Sequence, residues 1–332
     1  MSESSADTIA AIATPPGEGA LAVVRLSGPL AAAILERVFR PAGGGELAPR
    51  VMRHGRVVRA DGSQLDEVLA VLFRRPASFT GEDAAEISCH GGIVITRMLL
   101  ERLLEAGARA ARPGEFTERA FLNGKLELTQ AEAVMDLIAA QTELAAHAAG
   151  EQLQGALGRE VLALRDLLLA VLAQIEAAID FPDEDIAPDE AATLTARLDA
   201  ALERIDRLLD SAQRGRILRE GARLVIAARP NVGKSSLLNH LLGYQRAIVN
   251  PAPGTTRDAI EEVVDIGGYP VRLVDTAGLR ESPDDVERAG IAQTRERLAT
   301  ADLVLHVADA SREPTEPERD LAAAGDRRNR LL

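Results

Sequence analysis

A single cysteine, Cys89, stands in the whole chain, which excludes an intrachain disulfide and any zinc site of the paired CxxC kind and suits a reducing cytosol. Packing is the ordinary role of such a lone thiol. Positive charge is also in short supply. The 38 lysines and arginines face 51 aspartates and glutamates, giving a net charge of −13, which argues against a broad basic surface for gripping a phosphate backbone. Any contact with RNA is then local or shared with a partner. Residues 1–14 include Glu3 and Asp7 without a basic leader, and the apolar stretch 167–175 is too short to cross a bilayer. These features predict a cytoplasmic protein with no membrane segment. With 332 residues and 46% hydrophobic content, the chain can form two or three domains, each with its own core.

Residues 1 to about 120 mix short strand-like runs (21–26, 68–73, 85–88) with helical stretches such as 93–105, punctuated by Pro15-Pro16, Gly43–Gly45 and Pro113-Gly114. This pattern predicts an α+β domain. Between Leu126 and Ile179 no proline occurs, and Leu157, Val161, Leu164, Leu168, Val171, Ile175 and Ile179 recur in steps of four and three. One long amphipathic helix is expected there. A proline-rich acidic break at 181–188 then separates it from a second, antiparallel helix carrying Leu194, Leu198, Leu202, Ile205 and Leu209. The stripe could be an interaction surface, but stripes of this kind ordinarily bury against a neighbouring helix, so core packing is the expected role. At 223–227 the pattern becomes that of a buried strand, followed by a glycine-containing turn and a helical segment at 234–242. Further strands are expected at 260–266, 271–274 and 303–307, with a helix at 286–298. The expected fold is multidomain: an α+β N-terminal domain at 1–122, an α-helical central domain at 123–215, and an α/β P-loop domain at 216–332.

The turn after the first of these strands reads Ala228-Arg229-Pro230-Asn231-Val232-Gly233-Lys234-Ser235, which has P-loop spacing with alanine in place of the first glycine. The chemistry accounts for the residue types. Backbone N–H groups from Val232 through Gly233 to Ser235 and Ser236, at a helix N-terminus, offer donors to phosphates. Lys234 can reach the β/γ oxygens, and Ser235 can bind Mg²⁺. Downstream, Gly254-Thr255-Thr256-Arg257-Asp258 resembles the first switch of a GTPase, with Thr256 on Mg²⁺. Asp275-Thr276-Ala277-Gly278 follows a hydrophobic strand, where Asp275 can hold Mg²⁺ through water and the Gly278 N–H can face the γ-phosphate. Each of the last two motifs alone would read as a turn. Three in this order and spacing point to phosphate and Mg²⁺ binding.

Leu279 occupies the position at which Ras-like GTPases carry the glutamine that orients the attacking water. Glu287, within the acidic stretch 281–287, could act in its place, or could simply be a solvated first turn of a helix. Charge developing between the phosphates also needs a cation. Asn231 offers a carbonyl oxygen that could hold a monovalent ion there.

Longer motifs carry a resemblance. They include Ala13-Thr14-Pro15-Pro16-Gly17, Arg25-Leu26-Ser27-Gly28, Ser78-Phe79-Thr80-Gly81-Glu82-Asp83, His90-Gly91-Gly92, the run 111–125 ending in Asn123-Gly124-Lys125, and Glu176-Ala177-Ala178-Ile179-Asp180-Phe181-Pro182. Over nearly its whole length the chain resembles the tRNA wobble-uridine modification GTPases of the MnmE (TrmE) family. That resemblance implies a homodimer whose N-terminal domain binds a 5-formyltetrahydrofolate-type one-carbon donor through Arg25, Glu86 and Lys125. It implies GTP hydrolysis with K⁺ held at Asn231, Asn250, Ala252 and Thr255, and with Glu287 as a catalytic residue. It also implies that the chain works with the FAD-dependent partner MnmG on tRNA, adding a carboxymethylaminomethyl group at C5 of the wobble uridine.

One departure stands out. After 304–308 the chain ends without an Asn-Lys-x-Asp motif for guanine and without the family's final Cys-x-Gly-Lys. A C-terminally truncated member is therefore expected. Two readings follow: a K⁺-stimulated GTPase of tRNA modification, and a folate-binding dimerisation module carrying a remnant G domain.

Overall fold

The computed structural model describes residues 7–180, 191–228, 236–237, 240, 261–274, 301–307 and 311–313. The chain divides into two compact units, Met1–Ala131 and Glu132–Leu332.

In the first unit, strands β1 (Ile9–Ile12), β2 (Leu21–Ser27), β3 (Phe39–Pro41), β4 (Arg53–Val58), β5 (Gln64–Phe73), β6 (Ala84–His90) and β7 (Arg109–Ala110) form one sheet, in the order β3-β4-β5-β6-β2-β1-β7. Neighbours are antiparallel except β1 and β7. Period-two alternation decides which side of the sheet each residue faces. Ala22, Val24 and Leu26 of β2 and Ala85, Ile87 and Cys89 of β6 are buried. They pack in one core with helices α1 (Ala31–Val38) and α2 (Ile93–Glu105). The intervening Val23, Arg25, Glu86 and Ser88 point to the other side and are only half-buried. Helix α2 buries Thr96, Leu99 and Leu103, a three-then-four spacing that keeps one stripe on the sheet. Each fully buried leucine or isoleucine in such a core contributes about 1.5–3 kcal/mol. Cys89 is one of these core residues, and burial pushes its thiol up to about 11, in keeping with an inert packing role.

Helix α3 (Glu115–Leu122) is tied down by a buried ion cluster instead of an apolar stripe. Arg119 is 3% exposed and Glu115 2%. Arg119 Nη2 donates to Asp7 Oδ1 at 2.6 Å and to Glu115 Oε1 at 3.0 Å, while Nη1 donates to the Asp7 carbonyl at 3.0 Å and to Glu82 Oε2 at 3.2 Å. Glu115 also accepts from Arg109 Nη2 at 2.7 Å and from the Arg112 N–H at 2.8 Å. One guanidinium thus joins the segment ahead of β1, the loop between β5 and β6, and α3.

The second unit holds α4 (Leu128–Ala139, which begins in the first), α5 (Glu143–Leu153), α6 (Ala156–Asp180) and α7 (Ala191–Glu220), then β8 (Ala222–Ala228), β9 (Glu261–Ile266), β10 (Tyr269–Val274) and β11 (Leu303–Val307). Thr142 caps α5, its Oγ1 accepting from the Ala145 N–H at 3.2 Å. Arg197 Nη1 of α7 donates to Gln174 Oε1 of α6 at 2.9 Å, linking the two helices, and the single helix expected over 126–179 is divided into α4, α5 and α6. The expectation that their leucine stripe is core does not hold. In α6 only Leu164 and Val171 of the stripe are buried, whereas Leu157, Val161, Leu168, Ile175 and Ile179 are 37% to 70% exposed. Leu198, Leu202, Ile205 and Leu209 of α7 are exposed as well. Two paired helices bury one narrow seam, here Leu164, Val171 and Ala201, and the rest of a wide stripe needs further neighbours.

The four strands order as β11-β8-β10-β9, with β8 parallel to both β10 and β11 and β9 antiparallel to β10. Asp302 fixes the start of β11, accepting from the Arg223 N–H at 2.9 Å and from Arg216 Nη2 at 2.7 Å. The expected strands at 223–227, 271–274 and 303–307 are present, and that expected at 260–266 is described from Glu261 to Ile266. The helix expected at 286–298 lies outside the described residues.

The ion cluster makes the first unit sensitive to acid. Hydrogen bonding from Arg109, reinforced by the Arg112 N–H and Arg119, holds the Glu115 carboxyl well below its ordinary value of 4.5, against the opposing effect of burial. Its stabilising contribution is therefore complete above about pH 4.5 and is lost as pH falls below it. Glu115→Gln leaves Arg109 and Arg119 short of a counter-charge and should cost about 3–5 kcal/mol at neutral pH. Thermal melts from pH 7 to pH 3 check this: the gap between wild type and variant should narrow on acidification. A constant gap would contradict the assignment.

Candidate functional site

On the side of the N-terminal sheet away from α1 and α2 lies a cleft of about 420 Å³. Register places Arg25 of β2 directly opposite Glu86 of β6, and Glu86 opposite Val71 of β5. Arg25 Nε lies 2.8 Å from Glu86 Oε1, yet it is not aligned as a hydrogen bond and has no other partner. The Arg25 side chain, paired with Glu86 in this way, is part of the cleft lining.

Lys125 arrives by helix termination. After α3 the chain passes through Asn123 to Gly124, which adopts φ +68°. The Gly124 N–H donates to the Phe121 carbonyl at 3.0 Å and the Lys125 N–H to the Ala120 carbonyl at 2.8 Å. These two bonds are a Schellman ending, which needs a left-handed residue at the Gly124 position. Asn123 Nδ2 then donates to the Thr80 carbonyl at 2.8 Å, and the Lys125 stem lies against Gly81, where a Cβ would come within 3.1 Å of Lys125 Cγ. The motif Asn123-Gly124-Lys125 therefore both turns the chain and clamps the 78–83 loop. That loop is held from its other side by Ser27 Oγ, which donates to Glu82 Oε2 at 2.7 Å and lies 2.6 Å from Thr80 Oγ1.

Arg25, Glu86 and Lys125, three residues far apart in sequence, thus line one cleft. Several further lining residues were not expected from the motifs: Phe73, Phe79, Phe116 and Arg50. The chain has six phenylalanines, two tyrosines and no tryptophan, so half of its phenylalanines meet here. Phe79 and Phe116 stand inside the long family-like motifs, and the scarcity of aromatic residues elsewhere was a signal available in the sequence. Flat apolar faces beside a carboxylate and several cations suit a planar, polar-edged, anionic ligand.

The phosphate motifs lie almost wholly outside the described residues. Asn231, Val232, Gly233, Lys234, Ser235, Asn250, Ala252, Thr255, Thr256, Asp275, Thr276, Ala277, Gly278 and Glu287 are all in that group, and only Ser236 is described, helical and exposed. Their supporting strands are described. β8 ends at Ala228, the first residue of the P-loop-like motif, and β10 ends at Val274, immediately before Asp275. The two strands are parallel with Val274 opposite Val225, so their carboxyl ends point the same way. β8 is also the point at which strand order reverses, with β10 on one side and β11 on the other. Crevices at such carboxyl-end reversals are the usual ligand positions of parallel sheets.

Among the described residues, no cluster of three or more metal-ligating side chains occurs, and no helix is long and apolar enough to cross a membrane.

Comparison with known proteins agrees with both halves of the chain. Residues 8–125 match the family described as GTP-binding protein TrmE N-terminus, and residues 128–329 match the MnmE helical domain. A protein of Akkermansia muciniphila named tRNA modification GTPase MnmE is 56% identical over 304 residues, covering 92% of this chain and 68% of its own length. Proteins of the same name from Roseiflexus sp. and Enterococcus faecalis are 51% and 50% identical over 326 and 323 residues, covering 98% and 96% of this chain and 70% and 69% of their own lengths. The chain is thus shorter than these relatives, and it belongs to the family of tRNA modification GTPases named MnmE.

Proposed function

We propose that this chain is a GTP-binding and GTP-hydrolysing protein of tRNA modification. In this reading it acts with MnmG to add a carboxymethylaminomethyl group at C5 of the wobble uridine, and its N-terminal cleft holds a 5-formyltetrahydrofolate-type one-carbon donor. The convergence of Arg25, Glu86 and Lys125 on one aromatic-lined cleft carries the proposal. The residues fit such a donor. Glu86 would accept from ring N–H and amino groups, Arg25 and Lys125 would donate to its oxygens, and the phenylalanine faces would cover the heterocycle and exclude water. The donor, when bound, supplies the one-carbon unit. The chain's own residues bind and orient it.

The division into 1–122, 123–215 and 216–332 belongs to the same proposal, with the last segment as the G domain. There Lys234 and the N–H groups of 232–236 would bind the phosphates and Ser235 and Thr256 would hold Mg²⁺. Asn231, Asn250, Ala252 and Thr255 would hold K⁺, with Glu287 positioning the attacking water. The common direction in which the carboxyl ends of β8 and β10 point supports this arrangement. A cytoplasmic homodimer is the proposed assembly.

Calorimetry with 5-formyltetrahydrofolate should show binding in the full chain without GTP, weakened by about tenfold or more in Glu86→Gln and Lys125→Ala. Gly124→Ala should weaken it too, because left-handed backbone disfavours alanine by about 1 kcal/mol and the strain falls on the turn that carries Lys125. Absence of heat in a folded wild-type protein would overturn the cleft assignment.

GTP turnover should be faster in K⁺ than in Na⁺ by about tenfold, and Asn231→Ala should remove the difference, since Leu279 supplies no water-orienting amide. Equal turnover in the two salts would contradict the K⁺ assignment. No turnover in either salt, with folate binding intact, would favour a folate-binding module whose G region is passive.

A further inference from the structure

Arg50 adopts φ +64° and is the non-glycine residue with positive φ among those described. Left-handed backbone suits glycine or asparagine better than arginine, so a guanidinium at this position points to a use for the side chain. Its backbone is held by the Arg50 N–H bond to the Leu72 carbonyl at 2.8 Å. Its Nη2 reaches the Ala77 carbonyl at 3.5 Å, a long contact that steers the guanidinium without neutralising it. Both Arg50 and Ala77 line the cleft.

The charge balance there is unusual for this molecule. Arg25, Arg50 and Lys125 face the single carboxylate of Glu86, a local excess of two positive charges in a chain whose net charge is −13. Arg25 stands beside Glu86, while neither Arg50 nor Lys125 has an ion-pair partner among the described residues. Both side chains are exposed, but Lys125 is fixed to the 78–83 loop by its turn and by Gly81, whereas the Arg50 guanidinium has only its long contact to the Ala77 carbonyl. A planar fork of N–H donors in that position matches the geometry of a carboxylate.

We infer that Arg50 is a specificity-determining residue of this cleft, reading the carboxylates of a ligand tail that extends outward from the aromatic-lined floor. The inference deepens the one-carbon-donor reading and rests on it: the group recognised is the glutamate tail of a reduced folate, and Arg50 distinguishes a folate from the same heterocycle without that tail.

The test uses the full chain, calorimetry, and two probes: 5-formyltetrahydrofolate and the corresponding 5-formyltetrahydropteroate, which lacks the glutamate. Arg50→Gly is the informative variant, because glycine accepts φ +64° and removes the guanidinium without straining the turn. Wild type should prefer the folate by about tenfold or more, and Arg50→Gly should lose that preference while its affinity for the pteroate stays unchanged. Folate binding by wild type should also weaken more steeply with added salt than folate binding by Arg50→Gly. Arg25→Ala, at the cleft floor, should weaken both probes alike. If the folate binds and Arg50→Gly weakens both probes equally or neither, the tail-reading role is overturned while the cleft assignment stands. If neither probe binds to wild type, the cleft assignment itself fails and this inference fails with it.

Discussion

The N-terminal unit depends on what one buried guanidinium can hold together. Arg119 is nearly inaccessible, and its donors reach three places: Asp7 ahead of the first strand, Glu82 in the loop between β5 and β6, and Glu115 one turn earlier on its own helix. A buried charge left unpaired is far costlier than a buried methyl group, so these segments are held to one arrangement. The cleft inherits that rigidity. Glu82 anchors the loop bearing Ser78, Phe79 and Thr80, and α3 delivers Phe116 at its start and Lys125 past its end. The ion cluster binds no ligand in this account. It is what lets residues a hundred positions apart meet on one face of a sheet.

The sheet supplies the other half of the site by alternation. With α1 and α2 covering one face, every second residue of β2 and β6 is free to be polar, and Arg25 and Glu86 fall on those positions directly opposite each other. Pairing them there leaves Arg25 with a donor that Glu86 does not satisfy. A molecule with a strongly negative net charge thereby keeps a small region that is positive. Against the repulsion of the whole chain, a local excess of this kind favours an anion small enough to enter the cleft over an extended polyanion lying across the surface.

Much of this was legible in the sequence, and the misses have physical causes. Strands with clean alternation or continuous apolar runs, such as β2, β5 and the four strands of the second unit, were read within a few residues. Lys125, Glu86 and Arg25 are legible only through the family-like motifs; as single charges they look like any solvated side chain. Arg50 is not legible there, because its signal is a backbone angle and a missing counter-charge, neither of which a sequence displays. The leucine stripe of α6 and α7 misled for a related reason. Periodicity shows that a face is apolar, whereas burial depends on whether enough neighbours are there to cover it, and among the described residues Leu164, Val171 and Ala201 are the seam that is covered. In the second unit the supporting strands of the phosphate motifs are in place, with their carboxyl ends pointing the same way.

In the proposed function the N-terminal cleft binds a reduced folate through the residues gathered there. A crystal structure of the full chain with 5-formyltetrahydrofolate tests it most directly. The heterocycle should lie among Phe73, Phe79 and Phe116, with Glu86, Arg25 and Lys125 within hydrogen-bond distance and the tail carboxylates toward Arg50. A ligand bound elsewhere on the chain, with Arg25 and Glu86 untouched, would contradict it.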